Sequence, residues 1–178
     1  LNIQADAKIK VYGQADPVLT YTATGCESGD DESILTGALT RAAGEDVDVY
    51  AINLGTLNTG PNYTINYTGA DFEITPATLT VTADAGQIKV YVDIDPTLTY
   101  SATGFQSGDD ESILTGVSTR AAGEDFAVYA INLGSLDAGA NYTINYTGAD
   151  FEITRRVLNV IAGRNQSKVY GQPDPVFT

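Results

Sequence analysis

The sequence predicts an all-β protein made of small domains in tandem, and two observations lead to that prediction. The segment NYTINYTGADFEIT, which begins at Asn62, returns unchanged at Asn141, 79 residues later. Between turn residues, polar and apolar side chains alternate with the period of two that is typical of half-buried strands. A fixed period of this size indicates repeated structural units, so we expect a tandem array.

A second motif marks the start of each unit. It begins at Lys10 as KVYGQADPVLTY, at Lys89 as KVYVDIDPTLTY and at Lys168 as KVYGQPDPVFT. These positions divide the chain into a first repeat (residues 1–78), a second repeat (residues 79–157) and the start of a third (residues 158–178). Because the chain starts without Met and ends within a repeat, we expect it to be a segment of a longer protein.

Two segments of each repeat show the strand pattern clearly. In LTYTATG, which begins at Leu19, apolar residues alternate with threonines. In NYTINYT, from Asn62, two tyrosines and an isoleucine face one way while Asn and Thr face the other. Because Gly69 and Asp71 tolerate the backbone angles of tight turns, we expect this strand to form a hairpin with the one that resumes at Phe72.

Two further segments are less regular. VDVYAINL, over residues 47–54, is apolar on both faces, which predicts a central strand covered on both sides. ESILTGALTRAAGED, from Glu32, partly fits a helical stripe, but Gly37 and two threonines weaken a helix. The stripe is also not kept in the second repeat, where Ser118 stands in place of Leu39. We therefore expect a short strand with loops here.

The junction between the repeats is short. In FEITPATLTVTA the apolar positions are Phe72 and Ile74, then Leu79 and Val81, so their parity changes across Pro76. A one-residue change of phase turns an extended chain over, which moves its inward face from one core to the next. Pro76 stiffens such a linker, and a rod-like arrangement of antiparallel-rich domains, of the β-grasp or immunoglobulin-like kind, follows.

Charge and composition exclude several classes of function. The formal net charge is -14, and the chain has no His, Met or Trp. An acidic surface repels phosphates and anionic lipids, so we expect no nucleic-acid binding, and no apolar run is long enough for membrane insertion. No His-dependent triad or zinc site can be assembled, and the single Cys26, in the place of Phe105, is interpreted as a small apolar replacement. We expect no enzymatic activity.

The acidic loop SGDDES, present in both repeats, is the candidate metal site. Hard cations such as calcium take six to eight oxygen ligands, which clustered carboxylates with backbone carbonyls can supply. A solvated turn is the structural alternative, since the spacing is not that of an EF-hand. The candidate calcium ligands are Asp30, Asp31 and Glu32 in the first repeat and Asp109, Asp110 and Glu111 in the second.

Three basic residues have expected roles of their own. Arg41 and Arg120 are each followed by an acidic run and are expected to pair with it near the surface. Lys10, between Ile9 and Val11, is a candidate for a self-formed crosslink to an Asn, provided that it is buried beside a carboxylate.

The outward Asn and Thr side chains form a second candidate surface. They match the N-x-[ST] acceptor pattern for glycosylation, although strand alternation already explains them. An outer ladder of this kind can also form hydrogen bonds with a polysaccharide or a neighbouring chain. The inward tyrosines are interpreted as core residues.

The motifs KVYGQADPVLTYTATG, GDDESILTG, LTRAAGEDVDVYAI and NYTINYTGADFEITP together resemble the MBG repeat family of the YGX type. The resemblance covers essentially the whole chain. It implies small β-rich modules of large bacterial secreted and surface proteins, adhesin-like in character and without an assigned enzymatic activity. One departure stands out, because the Tyr12-Gly13 signature becomes Tyr91-Val92 in the second repeat. Either the turn differs there, or Gly13 is not required for its dihedral angle.

These observations predict a structural role outside the cell or at its surface. A string of similar units without catalytic residue types suits a rigid stalk or fibre for spacing, display or filament assembly, with neighbouring repeats and other copies in a fibre as partners. The alternative is an adhesive module that binds glycan or a host protein, with calcium as a candidate stabilising ion.

Overall fold

The fold is all-β, as the sequence predicts. The computed structural model describes residues 1–27 and 29–176, and within them there is no α-helix. The first repeat contains β1 (Asn2–Ala5), β2 (Lys8–Val11), β3 (Tyr21–Thr24), β4 (Thr40–Arg41), β5 (Val49–Asn53), β6 (Asn66–Thr68) and β7 (Ala70–Thr75). The second contains β8 (Ala77–Ala83), β9 (Gln87–Val90), β10 (Tyr100–Thr103), β11 (Thr119–Arg120), β12 (Ala127–Asn132), β13 (Tyr142–Thr147) and β14 (Asp150–Thr154).

Each repeat has two small sheets with the same topology. In the first repeat, a three-stranded sheet has the order β3-β1-β6 and a four-stranded sheet the order β2-β7-β5-β4. The second repeat has the matching orders β10-β8-β13 and β9-β14-β12-β11. Both sheets are mixed, since β1 pairs parallel with β6 and β2 parallel with β7, while the remaining pairs are antiparallel.

The core is formed by the inward positions of these strands. Phe72 and Ile74 of β7 and Ile52 of β5 are buried, and Phe151 and Ile153 are buried at the equivalent places in the second repeat. Burial of each such side chain contributes about 1.5–3 kcal/mol, which offsets the ordering of a short chain.

The predicted hairpin between NYTINYT and FEIT is wrong. β6 and β7 are separated only by Gly69, yet they lie in different sheets and do not pair with each other. The chain crosses from one sheet to the other at Gly69, where a Cβ would lie 2.9 Å from the carbonyl oxygen of Ile52. The alternation within the segment is correct, but a two-residue period does not reveal which strand becomes the partner.

The expectation for residues 47–54 is half correct. β5 lies inside its sheet, between β7 and β4. Only one of its faces is covered, because Ile52 is buried while Val49 and Ala51 are exposed. The prediction of a short strand with loops for ESILTGALTRAAGED is confirmed, since a 3₁₀ turn over Glu32–Ile34 is followed by the two-residue strand β4.

The junction has the predicted change of face. β7 ends at Thr75 and β8 begins at Ala77, so Pro76 alone lies between a strand of the first repeat and a strand of the second. Ile74 points into the core of the first repeat and Ala77 and Leu79 into that of the second, and all three are buried. One cluster of buried residues continues across this point to Leu79 and Val81, whereas Phe151 and Ile153 belong to a second cluster.

Residues 158–176, the described part of the third repeat, form no strand. Leu158, Val160 and Ile161 are exposed there. A local ion pair joins Lys168 Nζ to Asp174 Oδ1 at 2.5 Å. No helix in the described chain has the length and apolar character needed to cross a membrane.

Candidate functional site

The acidic loops use their carboxylates for local structure. Asp31 caps the 3₁₀ turn, since its Oδ1 accepts a hydrogen bond from Ser33 N at 2.9 Å, and Asp110 does the same for Ser112. Hydrogen bonding from the serine side chain, and then from its backbone N–H, lowers the pKa of Asp31 and likewise that of Asp110. Glu32 and Glu111 are the first residues of the two turns.

The remaining acid of each loop turns away, towards a tyrosine. Asp30 Oδ2 accepts from Tyr63 Oη at 2.9 Å, and Asp109 Oδ2 accepts from Tyr142 Oη at 2.8 Å. Ser28 of the first loop lies outside the described residues. Among the described residues, no group of three His, Cys, Asp or Glu side chains converges as a metal would require.

Calcium binding by these loops stays a prediction. If it occurs, the melting temperature measured with calcium should exceed that measured with a chelator, because an ion that binds only the folded state stabilises it. Equal melting temperatures would remove calcium from any account of this protein.

A cluster of four charged side chains, which we call the ion cluster, explains two of the repeated motifs. Its basic side chains are buried and its carboxylates are partly exposed. Lys10 Nζ lies 2.7 Å from Asp16 Oδ1 and 2.5 Å from Glu45 Oε2, and Arg41 Nε lies 2.5 Å from Asp16 Oδ2. Arg41 also donates to the carbonyl oxygen of Gly44 at 2.6 Å and lies over the Phe72 ring. Arg41 Nη2 also pairs with the carboxylate of Glu45, which confirms the predicted pairing of Arg41 with the acidic run.

The second repeat reproduces this cluster. Lys89 Nζ lies 2.6 Å from Asp95 Oδ1, and Arg120 pairs with Asp95 and Glu124, each at 2.6 Å. The spacing of Lys and Asp in the opening motif, and of Arg and Glu in the later one, thus brings four charges together in each repeat. The cluster pins β2, the following turn and the segment after β4 to one another.

The charges of this cluster oppose a crosslink. Burial lowers the pKa of Lys10, but the hydrogen bonds that Lys10 donates to Asp16 and Glu45 outweigh it, so the pKa is raised. The hydrogen bond from Arg41 lowers the pKa of Asp16. An amine that attacks a side-chain amide must be neutral, whereas this one is held charged. Among the described residues, no Asn is a hydrogen-bond partner of Lys10, so the geometry favours an ion cluster over the candidate crosslink.

The contacts between the two repeats, which we call the joint, form the best-developed interaction site. Its centre is Asn141, the first residue of the second NYTINYT. Asn141 Nδ2 donates to Asp46 Oδ1 at 2.9 Å, and its Oδ1 accepts from Val47 N at 2.8 Å. Its carbonyl oxygen accepts from Ala77 N at 3.0 Å. One residue thus holds both the body of the first repeat and the linker.

Two tyrosines close the other side of the joint. The ring of Tyr12 meets that of Tyr142 edge to face, with centroids 5.4 Å apart. Tyr12 Oη donates to Asp109 Oδ2 at 3.1 Å, so one carboxylate accepts from a tyrosine of each repeat. Burial, then the contact with Asp109, raises the pKa of both tyrosines. Such pairs add about 0.5–1.5 kcal/mol beyond area burial.

The joint also explains Gly13. Its φ is +80°, but Val92 adopts nearly the same angle, +75°, at the equivalent place in the second repeat. The turn is therefore the same in both. What Gly13 provides is space, because a Cβ there would lie 2.4 Å from Gln106 Cβ across the joint. The departure from the signature thus falls at the one position that decides how closely two repeats approach.

Sequence reasoning identified the linker but missed the joint. The alternation places Asn141 with the outward Asn and Thr of its strand, and the sequence marks Tyr12 only as part of a repeated motif. The available signal was the difference between the repeats at Gly13 and Val92, which is conspicuous because the surrounding motif is kept.

The architecture defines the protein as an all-β tandem-repeat protein in which two equivalent units share an interface. Comparison with family models gives a match to the MBG domain (YGX type) over residues 1–73 and 79–152. The chain belongs to this family, and each of its two described units is one such domain. Comparisons with curated proteins and with solved structures gave no match.

Proposed function

We propose that this chain is a structural spacer, a stretch of stiffly coupled repeats within a larger protein outside the cell or at its surface. The observation that carries the proposal is the joint, where a one-residue linker is combined with side-chain contacts on both of its sides. Membership of a repeat-domain family supports the same role, since repeated modules suit spacing better than catalysis.

Two physical features favour stiffness. Pro76 fixes one of the few backbone torsions between β7 and β8, so the linker has little freedom of its own. Because the repeats are covalently connected, even a small interface forms at high effective concentration. Contacts that would be weak between separate molecules therefore hold the two repeats in one orientation.

The net charge also supports an extended shape. Repeats with the same sign of charge repel one another when their surfaces come within about a Debye length, even where they make no direct contact. With a formal net charge of -14 on 178 residues, folding back of distant repeats onto each other is opposed.

The test compares Asn141→Ala with Asn62→Ala. Both asparagines begin the same NYTINYT segment, but only Asn141 contacts a second repeat. We expect Asn141→Ala to loosen the joint, so that residual dipolar couplings of the two repeats no longer fit one alignment tensor. Asn62→Ala should leave a single tensor, as in the unmodified chain.

Two independent tensors in the unmodified chain would refute the spacer role, because they would show that the repeats reorient freely. Small-angle scattering gives a second readout, since loosening should change the distribution of interatomic distances.

The adhesive alternative rests on a different surface. A shallow polar depression of about 260 Å³ crosses the three-stranded sheet of the first repeat, lined by Asn2, Gln4, Thr22, Thr24, Asn66 and Thr68 together with Ile3. Hydroxyl and amide groups on a flat sheet suit a glycan. Binding on a glycan array that is lost in Thr22→Ala with Asn66→Ala would favour this role, and a spacer alone would give no binding.

A further inference from the structure

The far end of the second repeat presents the same kind of surface that the joint covers in the first. We define the terminal face of the second repeat as Tyr91, Val92, Asp125, Phe126 and Arg155, which correspond in order to Tyr12, Gly13, Asp46, Val47 and Pro76. Tyr12 is 7% exposed, whereas Tyr91 is 43%, Val92 69% and Phe126 51% exposed. Residues 158–161 leave this face without covering it, since their apolar side chains are themselves exposed.

The near end of the first repeat has the complementary half. We define its leading face as Glu27, Asp30, Asn62 and Tyr63, which correspond to Gln106, Asp109, Asn141 and Tyr142. Tyr63 Oη accepts from Glu27 N and donates to Asp30 Oδ2, both at 2.9 Å. Tyr142 makes the same two contacts, with Gln106 and Asp109. The leading face therefore holds its tyrosine in the position that the joint uses.

The leading face and the terminal face carry charges that the joint lacks, and these charges are opposite in sign. On the leading face, Glu27 replaces the neutral Gln106. On the terminal face, Arg155 replaces Pro76 and lies 4.2 Å from the centroid of the Phe126 ring. The neighbouring Arg156 is paired with Asp93, and Asp125 is the counterpart of the acid that binds Asn141. Compared with the joint, the leading face therefore gains one negative charge at Glu27 and the terminal face gains one positive charge at Arg155.

We propose that the terminal face of the second repeat docks the leading face of a first-type repeat, supplied in solution by a second copy of this chain. The contact is a wider version of the joint. A side chain at Val92 occupies the place where Gly13 lies against Gln106 in the joint, so Val92 widens the contact. Apolar contact at Phe126 and attraction between Arg155 and Glu27 take the place of the close approach. The proposal deepens the spacer function, on which it rests, by naming what the terminal face binds.

The geometry of such a contact is heterologous, since the two faces are different. Head-to-tail contacts that do not close into a ring produce open chains. Repetition of the contact between copies would extend the rod into a fibre without any new surface.

The experiment uses a reciprocal charge swap in the full 178-residue chain. Sedimentation velocity is measured over rising concentration, up to the roughly millimolar range expected for a small interface. The unmodified chain should show concentration-dependent association. Arg155→Glu alone and Glu27→Lys alone should each weaken it about three- to fivefold, as for an exposed ion pair.

An equimolar mixture of the two variants should restore association. In the mixture, an acidic terminal face meets a basic leading face, and the reverse pair keeps its native charges. The controls Arg164→Glu and Glu152→Lys make the same charge changes away from both faces and should leave association unchanged. Val92→Gly should strengthen association, because it allows the close approach of the first joint.

The proposal is overturned if neither the unmodified chain nor Val92→Gly associates, or if the mixed variants fail to restore association. The proposal is also overturned if the charge swaps leave association unchanged while Val160→Lys abolishes it. That result would show that residues 158–161 cause the association. None of these outcomes bears on the spacer role, which the Asn141 and Asn62 variants test within a single chain.

Discussion

At the scale of single residues, the near-identity of the two repeats turns their differences into internal controls. Ser118 is the clearest case. It is buried, as Leu39 is in the first repeat, but its hydroxyl has no hydrogen-bond partner. Ser118 lines an open pocket of about 690 Å³ together with Leu98 and Tyr100. The second repeat thus has a small polar side chain where the first buries a large apolar one.

We predict that Ser118→Leu stabilises the second repeat by about 1–2 kcal/mol, because it buries apolar surface and removes an unsatisfied hydroxyl. The reverse change, Leu39→Ser, should destabilise the first repeat by about 2–4 kcal/mol through cavity formation. Urea unfolding of both variants gives the two free energies of unfolding. Loss of stability in Ser118→Leu would show that the cavity cannot accept the side chain.

The carboxylates of the ion cluster predict how the free energy of unfolding depends on pH. The pKa of Asp16 is lowered, first by the hydrogen bond from Arg41, and that of Asp95 by the bond from Arg120. A carboxyl whose folded pKa lies below its unfolded value of 3.8 contributes stability above that value. The contribution is lost as pH falls through the lower folded pKa.

We therefore expect the free energy of unfolding to be nearly constant from about pH 5 to 8 and to fall steeply below about pH 4. Asp16→Asn with Asp95→Asn should be less stable at pH 7 and should show a shallower acid slope. Urea titrations at several pH values give both quantities. An unchanged acid slope in the double variant would assign acid unfolding to other carboxylates.

At the scale of elements, the sequence predicts strands better than it predicts their partners. The alternation in LTYTATG and NYTINYT is correct because it reflects local burial, which the period of two reports directly. The hairpin is wrong because Gly69 permits a crossing between sheets as readily as a turn. The joint could not be derived from the pattern either, since Asn141 and Asn62 have identical local sequence and different surroundings.

The same segment forms strands of different length in the two repeats. β13 has six residues and β6 only three, although both read NYTINYT. The difference lies in the partner, because β8 begins at Ala77 and pairs from Tyr142 onwards, while β1 begins at Asn2 and pairs from Asn66 onwards. The shorter ladder in the first repeat therefore follows from the position of Leu1, the first residue of this sequence, and not from a difference between the two NYTINYT segments.

We predict slower amide hydrogen exchange over residues 142–144 than over residues 63–65. The identical sequences have equal intrinsic exchange rates, so any difference reports hydrogen bonding and local opening. Residues 145–147 and 66–68, which are paired in both repeats, serve as the matched comparison and should differ less. Equal protection over the first three positions would show that the longer ladder adds no stability.

At the scale of the whole molecule, the joint should couple the unfolding of the two repeats. Units in a linear array gain stability from intrinsic folding and from nearest-neighbour interfaces. Tyr12 contributes to the interface, because it is buried against Tyr142 and donates to Asp109. Its counterpart Tyr91 occupies the same motif but has no such neighbour in the described chain. The pair therefore separates the effect of the interface from that of the repeat.

We predict that Tyr12→Ala costs about 2–4 kcal/mol, in the range for loss of a buried aromatic side chain, and splits one thermal transition into two. Tyr91→Ala should cost less than about 1 kcal/mol and keep the transition single. Differential scanning calorimetry distinguishes the cases, since coupled repeats give a van't Hoff enthalpy equal to the calorimetric one, and uncoupled repeats give a smaller value.

Two transitions in the unmodified chain would mean that the joint orients the repeats without linking their stabilities. In that case stiffness would come from the short linker and Asn141 alone, and Tyr12→Ala would leave both transitions separate as before.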